Sequence, residues 1–585
     1  MFCRRLQWHW KARVFLHKRV ARTLTAEFMA YHSPADEYRY LFELRRLTEQ
    51  GPFADLDSQE IDAVLDAAAK LAQSEIAPLQ RRGDCRKPVL ENGIVRTSPG
   101  FGEAYRSFAA GGWVGMSAGE RYGGFGFPGT LRNACNEMFN GTCMAFGLNP
   151  MLTQCQIDAL EQHASEELKE IYLPRLISGE WCGTMNITEP QAGSDVGAIR
   201  TRAVAAGDGS YRLTGEKIFI SWADSDFAGN ICHLVLARGE NAARGSKGLS
   251  LFLVPKLIPG PDGQPGRRNG VSIAALEEKL GIHGSPTALV RFESARGWLV
   301  GVTGGGLAAM FTMMNNARLG VGTQGVAVAE AAWQEAAEYA HTRRQGRTLS
   351  GETGSIIGHG NIRRTLARAK AQIFAARAIC TDCAFALDMA QFSGEAAWQH
   401  RAALLTPIAK AFGSDTGVET ALRMLGIFGG SGYIEATGAA QFLRDVIVTT
   451  IYEGTNDIQA LDLAGRKLAD SGAAMNSLLD EVRIAAESAD GCEFSPALLD
   501  AESETRRAAA WMVGRSGDTQ SAAASTPFLR AVALLLGARW HLAASGDGGE
   551  RQALARVYFQ RLLPAVRELC REVVSGDADL SSVTL

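Results

Sequence analysis

No stretch of this 585-residue chain approaches the roughly 18 consecutive apolar residues of a membrane-spanning helix, so no membrane span is expected. An excess of basic charge is also missing. The formal net charge of −3 argues against nucleic acid as a partner, because binding phosphates requires a basic footprint. Cysteine is sparse: eleven residues are scattered along the chain without the density of a disulfide-stapled secreted domain, which points to a reducing, cytoplasmic setting. The one CxxC pair, Cys380 and Cys383, lies in a helical run with no second pair and no thioredoxin-like pattern nearby, and reads as buried structure. A Walker A pattern, HExxH and repeated Cys/His ligand spacing are all lacking, so no metal is expected. The GxGxxG match at Gly124, Gly126 and Gly129 follows no apolar strand. Pro128 also stands where a backbone N–H should face a pyrophosphate, so the segment reads as a tight turn.

What is present is a composition of 46% hydrophobic and 21% charged residues, that of a globular chain too long for one core. Residues 1–28 carry seven Lys/Arg against Glu27. A start at Met29 is a plainer explanation of this basic extension than an organellar transit peptide. Helical spacing, as in Ile61, Val64, Leu65, Ala68 and Leu71, marks a helical domain over 29–181. From 182 to 296 the pattern changes to short strands such as "YRLTGEKIFISWA" and "GLSLFLVPK". Long helices return over 297–470, and 471–585 forms an appended helical domain with eleven basic and fifteen acidic residues. The predicted fold is α+β: an N-terminal helical domain, a β-barrel-like middle domain, and a four-helix bundle with the extra helical unit. Strands do not alternate with helices, which excludes a doubly wound sheet.

Two segments carry possible chemistry. In "MNITEPQAGS" (185–194), Ile187 and Thr188 end a strand, and the following small residues form a loop able to present backbone donors to a ligand. In "IYEGTNDIQA" (451–460), Glu453 stands between an aromatic ring and a glycine. Thr455 or Asn456 is placed to cap a helix whose apolar stripe begins Ile458, Leu461, Leu468.

"MNITEPQAGSD" (185–195), "TGEKIFISWA" (214–223), "FGGSGYIE" (428–435) and "IYEGTNDIQ" (451–459) occur in this order. Together they resemble the acyl-CoA dehydrogenase family of flavoproteins over about 36–470. "KLGIHGSPT" (279–287) and the extra C-terminal domain look most like its longer subgroup, which includes 3-methylmercaptopropionyl-CoA dehydrogenase. The resemblance implies FAD as cofactor, an acyl-CoA substrate of fatty acid metabolism, an electron-transfer flavoprotein as electron acceptor, and a homo-oligomer, a dimer by preference. It further implies that Met185, Ile187 and Thr188 line the flavin, with Phe219 and Ser221 on its other flank. Ser194 would lie between flavin and CoA. Arg343 and the Gly429-Gly430 loop would reach the FAD of a neighbouring subunit, and Thr455 also belongs to the cofactor set. Asn315, Arg318 and Gly454 would face the thioester ligand.

By the same resemblance Glu453 is the base that removes the α-proton while flavin N5 takes the β-hydride. Its backbone N–H, with a ribityl hydroxyl, would hold the thioester oxygen. Family members that place the base one residue before the Arg318 position have no counterpart here, because that residue is Ala317. Three positions depart from the family pattern. Gly426 replaces a frequent Gln before the Gly-Gly pair, "RRQGR" lacks the aromatic that often follows the Arg343 position, and Asp457 replaces a neutral residue. An acyl-CoA oxidase on the same scaffold and a flavin-bound, DNA-associated homologue remain the alternatives.

Overall fold

The computed structural model describes residues 31–260, 263–348, 354–489, 491–515, 517–577 and 580–584; the basic segment 1–28 lies outside them. The N-terminal region comprises α1 (Ala35–Arg45), α2 (Ser58–Leu71), α3 (Leu79–Cys85), α4 (Phe101–Ala110), α5 (Gly129–His163) and α6 (Glu166–Ile177). Asp57 caps α2 by accepting from the Gln59 N–H at 3.0 Å. Between α3 and α4 stands a hairpin of β1 (Val89–Glu91) and β2 (Ile94–Arg96), which the helical reading of this region missed. Asn92 (φ 51°) and Gly93 (φ 72°) make its two-residue turn, the residue pair that tolerates two left-handed positions in succession. The Gly124–Gly129 segment is a turn before α5: the N–H groups of Gly124, Gly126 and Phe127 donate to the carbonyls of Gly119, Ala118 and Met116.

The middle region holds β3 (Trp181–Asn186), β4 (Arg202–Ala205), β5 (Tyr211–Ser221), β6 (Asn230–Gly239), β7 (Leu249–Pro255), the small pair β8 (Leu257–Pro259) and β9 (Pro265–Arg268), β10 (Val271–Leu276) and β11 (Thr287–Val300). The expected barrel-like domain is not formed. Seven strands make a sheet ordered β10-β11-β5-β4-β6-β3, and the path ends on two edge strands, β10 and β3, instead of closing on itself. Strand β7 lies off this path, paired with β6 over seven residues and with β11 only at Trp298–Val300. A barrel needs one continuous staggered ladder, whereas here the pairing branches and β4 meets β6 at only two residue pairs.

Three long helices follow: α7 (Gly306–Thr342), α8 (Gly360–Ser393) and α9 (Ala396–Ile427), then the short α10 (Ala439–Val446) and α11 (Asn456–Asp462). Helices α7 and α9 approach through glycine. A Cβ on Gly325 would lie 2.2 Å from the Gly413 carbonyl oxygen, and one on Gly413 2.3 Å from that of Gly322. Both CxxC cysteines are buried in α8, where Cys380 and Cys383 face the Ala409 carbonyl and the Thr406 hydroxyl of α9. The appended region comprises α12 (Ala473–Ser488), α13 (Ser495–Val513), α14 (Thr519–Ala523), α15 (Ser525–Ser545), α16 (Gly549–Arg561) and α17 (Ala565–Ser575). It shares one apolar cluster with the bundle, in which Phe374, Ile379 and Leu404 pack with Leu479, Phe528 and Leu535. Among the described residues no helix is long and apolar enough to cross a membrane.

Candidate functional site

The tight α7–α9 crossing brings side chains from both helices to the loop that precedes α11. There Glu453 and Gly454 are consecutive left-handed residues, with φ of 58° and 85°. For glutamate this conformation costs on the order of 1–2 kcal/mol, so the surroundings must hold it. Arg318 of α7 donates from Nε to the Glu453 carbonyl oxygen at 3.3 Å, and Gln459 Nε2 donates to the same oxygen at 3.0 Å. The Thr455 hydroxyl accepts from the Ile458 N–H at 3.3 Å, so Thr455 caps α11 and Asn456 is its first residue. The predicted apolar stripe is shifted: Leu461 is exposed, whereas Gln459, Ala460, Leu463 and Leu468 are buried. The helix runs into a wide turn at Leu463–Lys467, so spacing read for a regular helix fails.

Glu453 Oε2 is buried, and among the described residues it has no hydrogen-bond partner. Burial raises its pKa to about 7, against the pull of the Arg318 and Lys410 cations. Arg318 is itself buried and lies 3.5 Å from Asp462. Burial lowers its pKa, opposed by Asp462 and Glu453. Tyr452 donates its hydroxyl to Gln324 of α7, and burial keeps that phenol protonated. The arrangement is a shielded carboxylate near neutrality beside two cations, suited to accepting a proton from a weak carbon acid.

Asn315 lies one turn before Arg318 and lines a cavity of about 850 Å³ with Asn316, Leu319, Gln154 and Cys155. In the middle region, two segments of the sheet are tied together. The Ile218 N–H donates to the Thr188 carbonyl at 3.0 Å, and Lys217 Nζ donates to the Ile187 carbonyl at 2.8 Å and to Glu189 at 2.9 Å. Lys217 is fully buried, and burial brings it down to about 8. Burial would raise Glu189, but Lys217, the Thr201 hydroxyl and the Arg200 N–H pull it to about 2. These bonds hold the Phe219 segment against half-buried Thr188, with Phe219 at φ 61° and 60% exposed; Met185 is half-buried in β3. Strand β3 ends at Asn186, one residue before the predicted end at Ile187 and Thr188, and Ile187 is buried. Ser221 is half-buried opposite Thr287, and Ser194 is exposed on its loop beside Gly193.

Arg343 is the exposed C-cap of α7. Gly429 and Gly430 are exposed, and a Cβ on either, or on Gly426, would meet nothing within 4 Å. Arg343 and this glycine loop are thus open surface apart from the Glu453 cluster.

Four residues of the cluster escaped the sequence reading: Lys410, Gln459, Asp462 and Gln324. For Lys410 a signal existed, since it is a lone charge in the apolar run "LLTPIAKAFGS".

Family models for the N-terminal, middle and C-terminal domains of acyl-CoA dehydrogenase match residues 58–180, 184–295 and 304–468. The chain is 41% identical to 3-methylmercaptopropionyl-CoA dehydrogenase of Ruegeria pomeroyi, over 76% of this chain and 77% of that protein. Caenorhabditis elegans ACDH-11 in complex with C11-CoA has the same fold, with a TM-score of 0.77 and 20% identity over 95% of this chain and 97% of the other. Butyryl-CoA dehydrogenase of Megasphaera elsdenii superposes with a TM-score of 0.59 and 26% identity, covering 71% of this chain and 100% of that one.

Proposed function

The chain belongs to the acyl-CoA dehydrogenase family, and from that premise we propose that Glu453 removes the α-proton of the thioester substrate. The enzyme is a flavoenzyme that dehydrogenates an acyl-CoA to the 2-enoyl-CoA. One observation carries the assignment of the base: a carboxylate tip that is buried, unpartnered at Oε2 and near neutral pKa, on a loop whose backbone is held in a strained form.

FAD, when bound, supplies the acceptor for the β-hydride. The residues present fit it. Phe219 is held exposed in the segment tied to Thr188, and with Met185, Ile187 and Thr188 it would line the isoalloxazine. The loop at Gly429 and Gly430 leaves room for the adenosine half near Arg343. Thr188 would supply a polar contact on one flank of the flavin and Ser221 one on the other, with Ser194 between flavin and CoA. Thr455 positions the base loop by capping α11. Arg318 holds the Glu453 carbonyl in place, so its part is positioning the loop as well as facing the ligand. Gly454 leaves the approach to the carboxylate free of side-chain bulk, and Asn315, one turn before Arg318, is the proposed further contact to the ligand.

Open, glycine-lined surface around Arg343 supports a homodimer in which each subunit covers part of its neighbour's cofactor. An electron-transfer flavoprotein is the proposed electron acceptor. The name of the 41% identical relative makes 3-methylthiopropanoyl-CoA the first substrate to test. Anaerobic mixing with a panel of acyl-CoAs, this one included, is expected to bleach the bound FAD in wild type and not in Glu453→Gln. Bleaching of the variant at the wild-type rate would place the base elsewhere. Peroxide formation at the turnover rate, unaffected by an added electron acceptor, would make the enzyme an oxidase.

A further inference from the structure

Lys410 sits in the middle of α9 with none of its surface exposed. Its ammonium carries three donors, and among the described residues it finds one hydrogen-bond acceptor, Asn456 Oδ1 at 2.8 Å. A buried ammonium with a single neutral acceptor is costly, so it needs an anion to justify its charge. Two carboxylates act on it, Glu453 and Asp415, with Arg318 as the opposing cation. Asn456 fixes the geometry. Its Oδ1 faces Lys410 and the Ser414 hydroxyl (3.1 Å), and its Nδ2 faces Asp415 Oδ1 (2.7 Å). This sense of the amide is forced, because an ammonium can only donate. The far side of Asp415 meets Arg530 of α15 at 3.5 Å, and Arg530 also binds Glu419 at 2.7 Å. A polar relay thus runs from the appended helices through α9 to the first residue of α11, three positions after Glu453.

We propose that Lys410 is a positioning residue for dehydrogenation: fixed by Asn456, it is the second cation, after Arg318, that keeps Glu453 in its proton-accepting anionic form. It does not touch the reacting carbons. The other titratable groups that act on Glu453 leave the task to these two cations. Cys155 of α5 is kept as a thiol by burial, and Tyr452 is kept as a phenol. Asp462 is committed to Arg318 and Arg466. Burial brings Lys410 down to about 7, so it and Glu453 titrate as a pair around neutrality.

The inference rests on Glu453 being the base, and the test separates the two. Anaerobic FAD bleaching by a saturating acyl-CoA is followed against pH in wild type, Lys410→Met, Lys410→Gln, Lys410→Arg and Glu453→Gln. Removal of the cation raises the carboxylate pKa, so the acid limb is expected to move up by about one pH unit in the Met and Gln variants. Their rates then fall about five-fold at pH 7 and approach wild type near pH 9. Lys410→Arg restores the position of the limb, which loss of packing alone would not do. The Gln variant keeps a donor for Asn456 and carries the test if the Met variant does not fold. An unmoved or downward-moved limb in the folded neutral variants overturns the role of Lys410. Bleaching that persists in Glu453→Gln overturns the base assignment instead.

Discussion

The Thr526 hydroxyl of α15 donates to Asp457 Oδ1 at 2.9 Å, linking the appended helices to the first turn of the helix that follows the Glu453 loop. Asp457, anomalous as a sequence letter, therefore has a structural partner. It lies exposed in the first turn of α11, where a negative charge also meets the positive end of the helix. Replacement by alanine is expected to lower stability by about 1 kcal/mol, combining one exposed hydrogen bond with the helix-end charge, and to leave FAD content unchanged. Thermal unfolding with flavin absorbance as a second readout checks both.

The pH dependence of stability should carry a signature of Glu453. Its folded pKa of about 7 exceeds the ordinary glutamate value of about 4.3, so folding favours the protonated form. That contribution is complete below the unfolded value and is lost as pH rises through 7. Glu453→Gln removes it, so the melting temperature of the variant relative to wild type is expected to climb from pH 5 to pH 8. A constant difference across that range would contradict a raised pKa.

Lys217 and Glu189 form a buried pair that ties the Thr188 segment to the Phe219 segment. Lys217→Met leaves the Glu189 carboxylate without its cation. A loss of about 3–5 kcal/mol is expected, with weaker FAD retention because Phe219 loses its support. Flavin absorbance after gel filtration and a denaturant titration measure the two effects separately.

Gly430 occupies open surface, and a Cβ there meets nothing within 4 Å among the described residues. Gly430→Val is therefore expected to leave apoprotein unfolding unchanged and to reduce FAD retention, if the cofactor's adenosine half fills that space. Unimpaired retention would move the adenosine site away from this loop.

How much could be read in advance differs from element to element. The Asn92-Gly93 turn was visible as a residue pair, yet the hairpin was missed because its strands are only three residues each, too short for a period-2 pattern to stand out against the helical spacing around them. The barrel expectation failed for a different reason. Strand sequences show which residues alternate, but closure depends on which edges pair, and β7 pairs off the main path. Lys410 escaped the sequence reading although it is a lone charge in an apolar helix, and its connection to Glu453 depends on α7 and α9 meeting at Gly322, Gly325 and Gly413.

The sequence by itself determined the order of the helical and strand-rich regions, the membership of the family, and the identity of Glu453 as the residue to examine. Those follow from local periodicity and from motifs that are contiguous in the chain. The tertiary structure decided the charge environment of that glutamate, because Arg318, Lys410 and Cys155 come from three helices, at positions up to about 300 residues from it along the chain. It also decided the use of Asp457 and the open form of the sheet. Coulombic and burial effects act through space, and a chain written as letters carries no distances across it.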